Sequence, residues 1–211
     1  MRRFIITLIV ITIALFDMRA QDMASVFTEM PDQYIPQLEH AWRKDLVDLY
    51  NAGKEARLKN TMEGMSVLRC LTQDYIFLQT TERSSVEMKL LPLVNNTYIV
   101  CMISTVNGPV PDSRMAFFTT AWEPLATDDL FTQPVSDWYL RNDIDKSDDA
   151  YQDAIARLDM DLTQYSLSPD SMTLTLTYTT PQYLTQQEQA ELQPYLSEPL
   201  VYTWEKYHFQ R

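Results

Sequence analysis

The spacing of apolar residues changes character once along the chain, near Ser66. Before it, Ile35, Leu38, Trp42, Leu46 and Leu49 recur at spacings of three and four. That spacing puts them on one face of an amphipathic helix, and Pro36 suits the first turn. Met23, Val26, Phe27 and Met30 mark residues 21–34 as a lead-in with a helical turn. Asn51-Ala52-Gly53 offers a stop, and Lys54 to Asn60 reads as a second short helix.

After Ser66 the pattern reads as strands. Val67 to Leu71 and Tyr75 to Thr81 flank Thr72-Gln73-Asp74. Val86, Met88 and Leu90 alternate with Glu87 and Lys89, which predicts a strand with one wet face. Asn95-Asn96 signals a turn. Tyr98 to Val106 is almost wholly apolar and is expected to be the most buried strand. A loop at Gly108-Pro109-Val110-Pro111-Asp112 precedes a strand over Met115 to Thr119. Strands this closely spaced pair antiparallel, since parallel pairs need long crossovers.

Residues 122–150 are loop-rich and acidic, and Tyr151 to Leu158 reads as a short helix. Leu162 to Leu167 and Met172 to Tyr178 form a hairpin around Ser168-Pro169-Asp170-Ser171. Leu174, Leu176 and Tyr178 share one face of it, and Thr173, Thr175 and Thr177 the other. This Thr-rich strand is a candidate edge for accepting another strand. Thr185 with Glu188 has the form of a capping box, and Pro199 to Tyr207 reads as a closing strand.

The expected fold class is α+β: a curved antiparallel sheet of several strands with an N-terminal helix packed on it. Leu71-Thr72-Gln73 against Leu162-Thr163-Gln164, and Thr119-Thr120 against Thr179-Thr180, hint at an internal duplication. Residues 21–211 read as one α+β domain, with two lobes, 21–125 and 126–211, as the alternative.

The first 20 residues have a different logic. Arg2 and Arg3 precede an apolar run from Phe4 to Phe16, and Ala20 is the small residue a signal peptidase needs. The run is shorter than the roughly 20 residues that span a bilayer. Residues 1–20 are therefore expected to be a cleaved signal peptide, leaving a periplasmic or secreted protein with no membrane span. No Cys stands at the cleavage point to carry a lipid.

Charge narrows the partners. Losing Arg2, Arg3, Arg19 and Asp17 takes the net charge from −12 to −14. Such a balance argues against nucleic acid and against an anionic membrane surface. Cys70 and Cys101 sit in strand-like runs, either as a disulfide that this compartment permits or as two small buried side chains.

No catalytic, cofactor or metal signature emerges. The acidic run from Asn142 to Asp148 fails as a calcium loop, because the sixth and twelfth positions counted from Asp143 are Asp148 and Ala154. Only His40 and His208 are present, and only three glycines, too few for a phosphate-cradling loop. No cofactor is expected. Trp122, Trp138 and Trp204, with Tyr139, flank loops or strand ends where stacking on a ligand competes with ordinary packing.

Gln21 to Asp32, Val86-Glu87-Met88-Lys89-Leu90-Leu91-Pro92, Gly108 to Thr120 and Thr179-Thr180-Pro181-Gln182-Tyr183-Leu184 together resemble an uncharacterised family of secreted proteins from Bacteroidales, known as a domain of unknown function. The resemblance covers nearly all of the chain after residue 20 and carries no assigned chemistry. It implies a Gram-negative envelope. It also implies that Asp170-Ser171-Met172 fits an O-glycosylation pattern of that group, with Ser171 as acceptor; a plain β-turn is the competing reading. The function expected is a non-enzymatic envelope module binding a peptide, protein or glycan. The alternative is a small periplasmic hydrolase using paired carboxylates.

Overall fold

The computed structural model describes residues 22–211. The expected signal peptide lies outside the described residues. Sequential antiparallel pairing builds a seven-stranded sheet in chain order: β1 (Arg57–Lys59), β2 (Met65–Leu71), β3 (Tyr75–Thr81), β4 (Ser84–Pro92), β5 (Tyr98–Asn107), β6 (Pro111–Thr119) and β7 (Pro124–Leu125). A second sheet has β8 (Thr163–Leu167), β9 (Thr173–Tyr178), β10 (Leu200–Glu205) and β11 (His208–Gln210), ordered β11-β10-β9-β8. Four α-helices accompany them among the described residues: α1 (Met23–Thr28), α2 (His40–Asn51), α3 (Asp149–Ile155) and α4 (Gln186–Leu192). The α+β expectation holds, but the most buried strand is the central β4 and not β5, whose residues Ser104 and Val106 are exposed.

Each face of the large sheet has its own core. Val86, Met88 and Leu90 of β4 join Leu68, Ile76, Leu78, Val100 and Met102 beneath α1 and α2. On the opposite face Leu91, Ile99, Cys101, Ile103 and Phe117 meet Leu167, Leu174, Leu176, Tyr202, Trp204 and Phe209 of the second sheet. The wet face predicted for β4 is therefore wrong. Glu87 and Lys89 are 8% and 1% exposed, because the second sheet covers them. Alternation with charged residues normally marks a solvated face; here the charges hold a second layer.

Side chains gripping backbone add to this apolar packing. Glu87 Oε2 accepts from the Leu167 amide at 2.9 Å and from the Tyr75 hydroxyl at 3.2 Å. Lys89 Nζ donates to the Pro169 carbonyl at 3.0 Å and pairs with Asp74 at 3.0 Å. Asp112 Oδ1 accepts from the Thr163 amide at 3.3 Å, the Thr179 hydroxyl donates to the Pro111 carbonyl at 2.7 Å, and Trp204 Nε1 donates to the Pro92 carbonyl at 3.0 Å. Strand β8 thus runs across the large sheet. Its first residue meets Asp112 of β6, and its last meets Glu87 of β4.

Several local expectations change. Helix α2 begins at His40, so Ile35 and Leu38 belong to the turn before it, although both are buried. The reason is Arg43, which is 0% exposed. Its guanidinium donates to the carbonyls of Thr28, Met30 and Leu38 and to Asp32 Oδ1, using all five N–H groups. Of these, the Leu38 carbonyl would be an acceptor in a helix extended back by a turn, and it takes the guanidinium instead. The stop at Gly53 is as read: its φ of 66° places it in the left-handed region, and Lys54 N–H returns to the Leu49 carbonyl in a Schellman-type end. Lys54 to Asn60 is not a helix. Arg57–Lys59 pairs with β2 as an edge strand instead.

The capping box at Thr185 and Glu188 is present on α4. The closing strand is a hairpin, β10 to β11, turned at Lys206 and Tyr207 with φ of 49° and 65°. Two successive left-handed residues give a turn whose twist matches the strands. The Thr-rich strand β9 is not an edge, since it lies between β8 and β10. The duplication does not appear either: one half is a seven-stranded meander and the other a four-stranded sheet, and Leu71-Thr72-Gln73 closes β2 whereas Leu162-Thr163-Gln164 opens β8.

Candidate functional site

A cleft of about 310 Å³ opens where the start of β6, the 133–139 loop and β8 converge. Asp112 and Ser113 line it from β6, Thr163 and Tyr165 from β8, and Gln133, Asp137, Trp138 and Tyr139 from the loop, with Asp161 just before β8. Its shape depends on local chain geometry. Asp137 adopts φ of 60°, a left-handed conformation that Asp tolerates better than most residues. The Leu140 amide returns to the Asp137 carbonyl to close this turn, placing Trp138 and Tyr139 against β9.

The aromatic wall is closely packed. Tyr139 and Tyr178 stack with centroids 3.6 Å apart and planes 3° from parallel. Trp138 meets both edge-on, at 6.0 Å and 6.3 Å. The Tyr139 hydroxyl donates to Asp161 Oδ1 at 3.2 Å, the Tyr178 hydroxyl to the Met160 carbonyl at 2.8 Å, and the Tyr165 hydroxyl to Gln133 Oε1 at 3.3 Å. Burial raises the pKa of all three phenols above the ordinary tyrosine value, and the stacked Tyr178 adds to the rise at Tyr139. All three remain protonated donors at neutral pH.

Charge in the cleft has one sign. Asp112, Asp137 and Asp161 line it, and no Lys, Arg or His is among the lining residues. Nor does any of the three join an ion pair among the described residues. Asp112 and Asp161 are fixed by hydrogen bonds from Thr163 and Tyr139, so their positions are set before any ligand arrives. Among the described residues, no group of three or more His, Cys, Asp or Glu has metal-holding geometry.

The residues singled out from sequence divide sharply. Trp138 lines the cleft, half-buried. Trp122 and Trp204 are core residues, 5% and 7% exposed, which removes them as ligand-stacking groups. Trp122 packs on Phe118 and Tyr34 and donates from Nε1 to the Val26 carbonyl at 3.0 Å, while Trp204 packs edge-on to Phe209. Both indole N–H groups are satisfied internally, as buried tryptophans require.

Cys70 and Cys101 are free thiols and do not form the bond considered above. They lie on β2 and β5 with β3 and β4 between them, a gap of roughly 14 Å at about 4.8 Å per strand, against the 7 Å limit for a disulfide. Burial pushes the Cys101 thiol well above its ordinary value, which keeps it inert. Ser171 sits exposed in the β8–β9 turn, where Ser168 Oγ accepts from the Asp170 and Ser171 amides.

Sequence reading missed Asp112, Asp161, Tyr165 and Tyr178 as site residues. They lie up to 66 positions apart and meet only because β8 crosses the large sheet. The strict alternation of β9, which puts Tyr178 on the face of Leu174 and Leu176, was the one usable signal.

A seven-stranded antiparallel meander with helices on one face and a crossed four-stranded sheet on the other defines an open two-sheet α+β protein. The chain belongs to the family described as "Protein of unknown function (DUF3256)", whose model matches residues 15–209. It is similar to a solved structure described as a domain of an uncharacterized protein from Porphyromonas gingivalis W83. That likeness has a TM-score of 0.76 and 32% sequence identity, covering 89% of this chain and 96% of that one. No curated protein matches the chain.

Proposed function

We propose that this chain is a cell-envelope binding module that takes its ligand at the cleft between β6, the 133–139 loop and β8. The observation that carries the reading is the combination of the half-buried Trp138 and Tyr165 rings with carboxylates that no cation neutralises. Aromatic faces pack on sugars or on side chains, and preset polar groups orient whatever is held there. Asp112, Asp161 and the Tyr165 hydroxyl are already positioned by the fold, so little ordering cost remains on binding.

The test is binding to glycan and peptide arrays, followed by calorimetry on any hit. Trp138→Ala and Asp161→Asn are expected to weaken the hit by about tenfold or more, with far-UV circular dichroism unchanged. A hit that both variants retain at full affinity places the ligand elsewhere and sinks this reading.

A second reading, hydrolysis by paired carboxylates, rests on the same three Asp residues. Such chemistry needs one carboxyl group to hold a proton as general acid. Asp112 and Asp161 each accept a hydrogen bond from the fold, which is the arrangement of a fixed acceptor and favours binding over catalysis. Turnover in a broad hydrolase screen, lost in Asp112→Asn, would reverse that preference.

The address completes the proposal. Cleavage after Ala20 would release the protein into the periplasm or beyond, starting at Gln21. N-terminal sequencing of the envelope fraction is expected to begin there. Recovery from the cytoplasm with Met1 intact would remove the envelope part of the reading.

A further inference from the structure

One side of the cleft is the start of β6, where β7 no longer pairs with it. Strand β6 runs nine residues, from Pro111 to Thr119, but β7 pairs with only Phe117 and Phe118. In an antiparallel ladder alternate residues point their main-chain groups to opposite sides. The Thr119 amide bonds to the Glu123 carbonyl, on the β7 side. By alternation the odd-numbered residues face that side, and Asp112, Arg114, Ala116 and Phe118 serve β5. The main-chain N–H and C=O groups of Ser113 and Met115 therefore point away from β5, past the end of β7 on the strand that the Thr127–Asp129 turn adjoins, and no hydrogen bond to them is made among the described residues. Ser113 also lines the cleft, with its hydroxyl turned inward to Thr105 at 2.8 Å.

We propose that this margin and the cleft form one site for an extended, cationic peptide segment of a partner protein. The segment adds to β6 through Ser113 and Met115, and a Lys or Arg side chain enters the cleft. Three observations fix the chemistry of the occupant. An unpaired strand margin accepts an extended backbone, which a glycan does not offer. The three carboxylates lack a counter-cation, so the complementary side chain is positive. Trp138 and Tyr165, both half-buried at the cleft, present rings over which an ammonium or guanidinium is attracted. Side chains along an extended strand alternate, so one cationic residue enters the cleft while its neighbours face outward.

This inference rests on the cleft being the ligand site, and its test separates the two. The probes are a blocked heptapeptide of alternating Thr and Val with a central Lys, its Gln and Glu analogues, and a version N-methylated at alternate amides. Chitin and xylan oligosaccharides form a second arm. Titration calorimetry is expected to show the Lys peptide binding about tenfold or more tighter than the Gln analogue, the Glu analogue not binding, and N-methylation weakening it about tenfold. Asp161→Asn is expected to erase the Lys preference, and peptide is expected to slow hydrogen exchange at the Ser113 and Met115 amides. Equal affinity for the Lys and Glu peptides, or unchanged exchange at those amides in the complex, overturns the inference. Binding of an oligosaccharide with none of the peptides also overturns it, yet leaves the cleft as the ligand site. Binding of neither class removes both.

Discussion

Replacing Arg43 by Met is expected to lower the unfolding free energy by about 3–5 kcal/mol, measured by urea denaturation, and to bring the melting temperature down by roughly 10 °C. Arg43 is 0% exposed, and its five N–H groups are all committed. Methionine fills similar space but leaves the carbonyls of Thr28, Met30 and Leu38 without their donor, at about 1–3 kcal/mol for each one left buried and unpaired. The ion pair with Asp32 contributes far less. Its carboxylate is 59% exposed, so Asp32→Asn is expected to cost under about 1 kcal/mol. Arg43→Lys should fall between, since an ammonium has three donors and no planar fork. A loss below about 1 kcal/mol in Arg43→Met would mean the lead-in is held by apolar packing alone.

Glu87 carries the second large effect. Glu87→Ala is expected to cost about 2–4 kcal/mol at neutral pH, because the Leu167 amide and Tyr75 hydroxyl lose their acceptor between two packed sheets. Glu87→Gln keeps an acceptor and removes a buried charge, so it should be at least as stable as the parent there. The pH dependence gives the sign. Burial raises the Glu87 carboxyl above its unfolded value of 4.5, against the hydrogen bonds that lower it. Its contribution is fully present below that value and is lost as pH rises through the folded one. Glu87→Gln should flatten that decline between 4.5 and the folded value. Denaturation curves across this range decide it, and a decline equally steep in the variant would show that another group is responsible.

The same residue shows where sequence and structure part. Strands β2 to β5 were legible because each needs only its own alternation and a nearby turn. The capping box on α4 was legible because its two partners stand three residues apart. Glu87 and Lys89 were misread because periodicity reports which residues share a face, and not what that face meets. Whether water or Leu167 lies opposite Glu87 is decided 80 residues later. Arg43 is a comparable case: a basic residue within an amphipathic helix reads as solvated, and only three carbonyls upstream of it make it a core residue. Of the cleft, Trp138 and Tyr139 were visible as aromatics in a loop. The carboxylates were invisible, since Asp112 and Asp161 are ordinary among 29 acidic residues until the crossing of β8 brings them together.

The grip on the second sheet has a consequence for how the sequence can drift. Glu87, Lys89, Asp112, Thr179 and Trp204 each seize a main-chain atom on the opposing layer, at Leu167, Pro169, Thr163, Pro111 and Pro92. A main-chain amide or carbonyl survives nearly any substitution at its own position. The exposed residues of the β8–β9 turn are thus free to diversify while the layers stay in register, and change there can alter what the protein presents to its surroundings at little cost to its architecture. The gripping side chains have no such latitude, and relatives of this chain should retain them even where the turn they hold bears no resemblance.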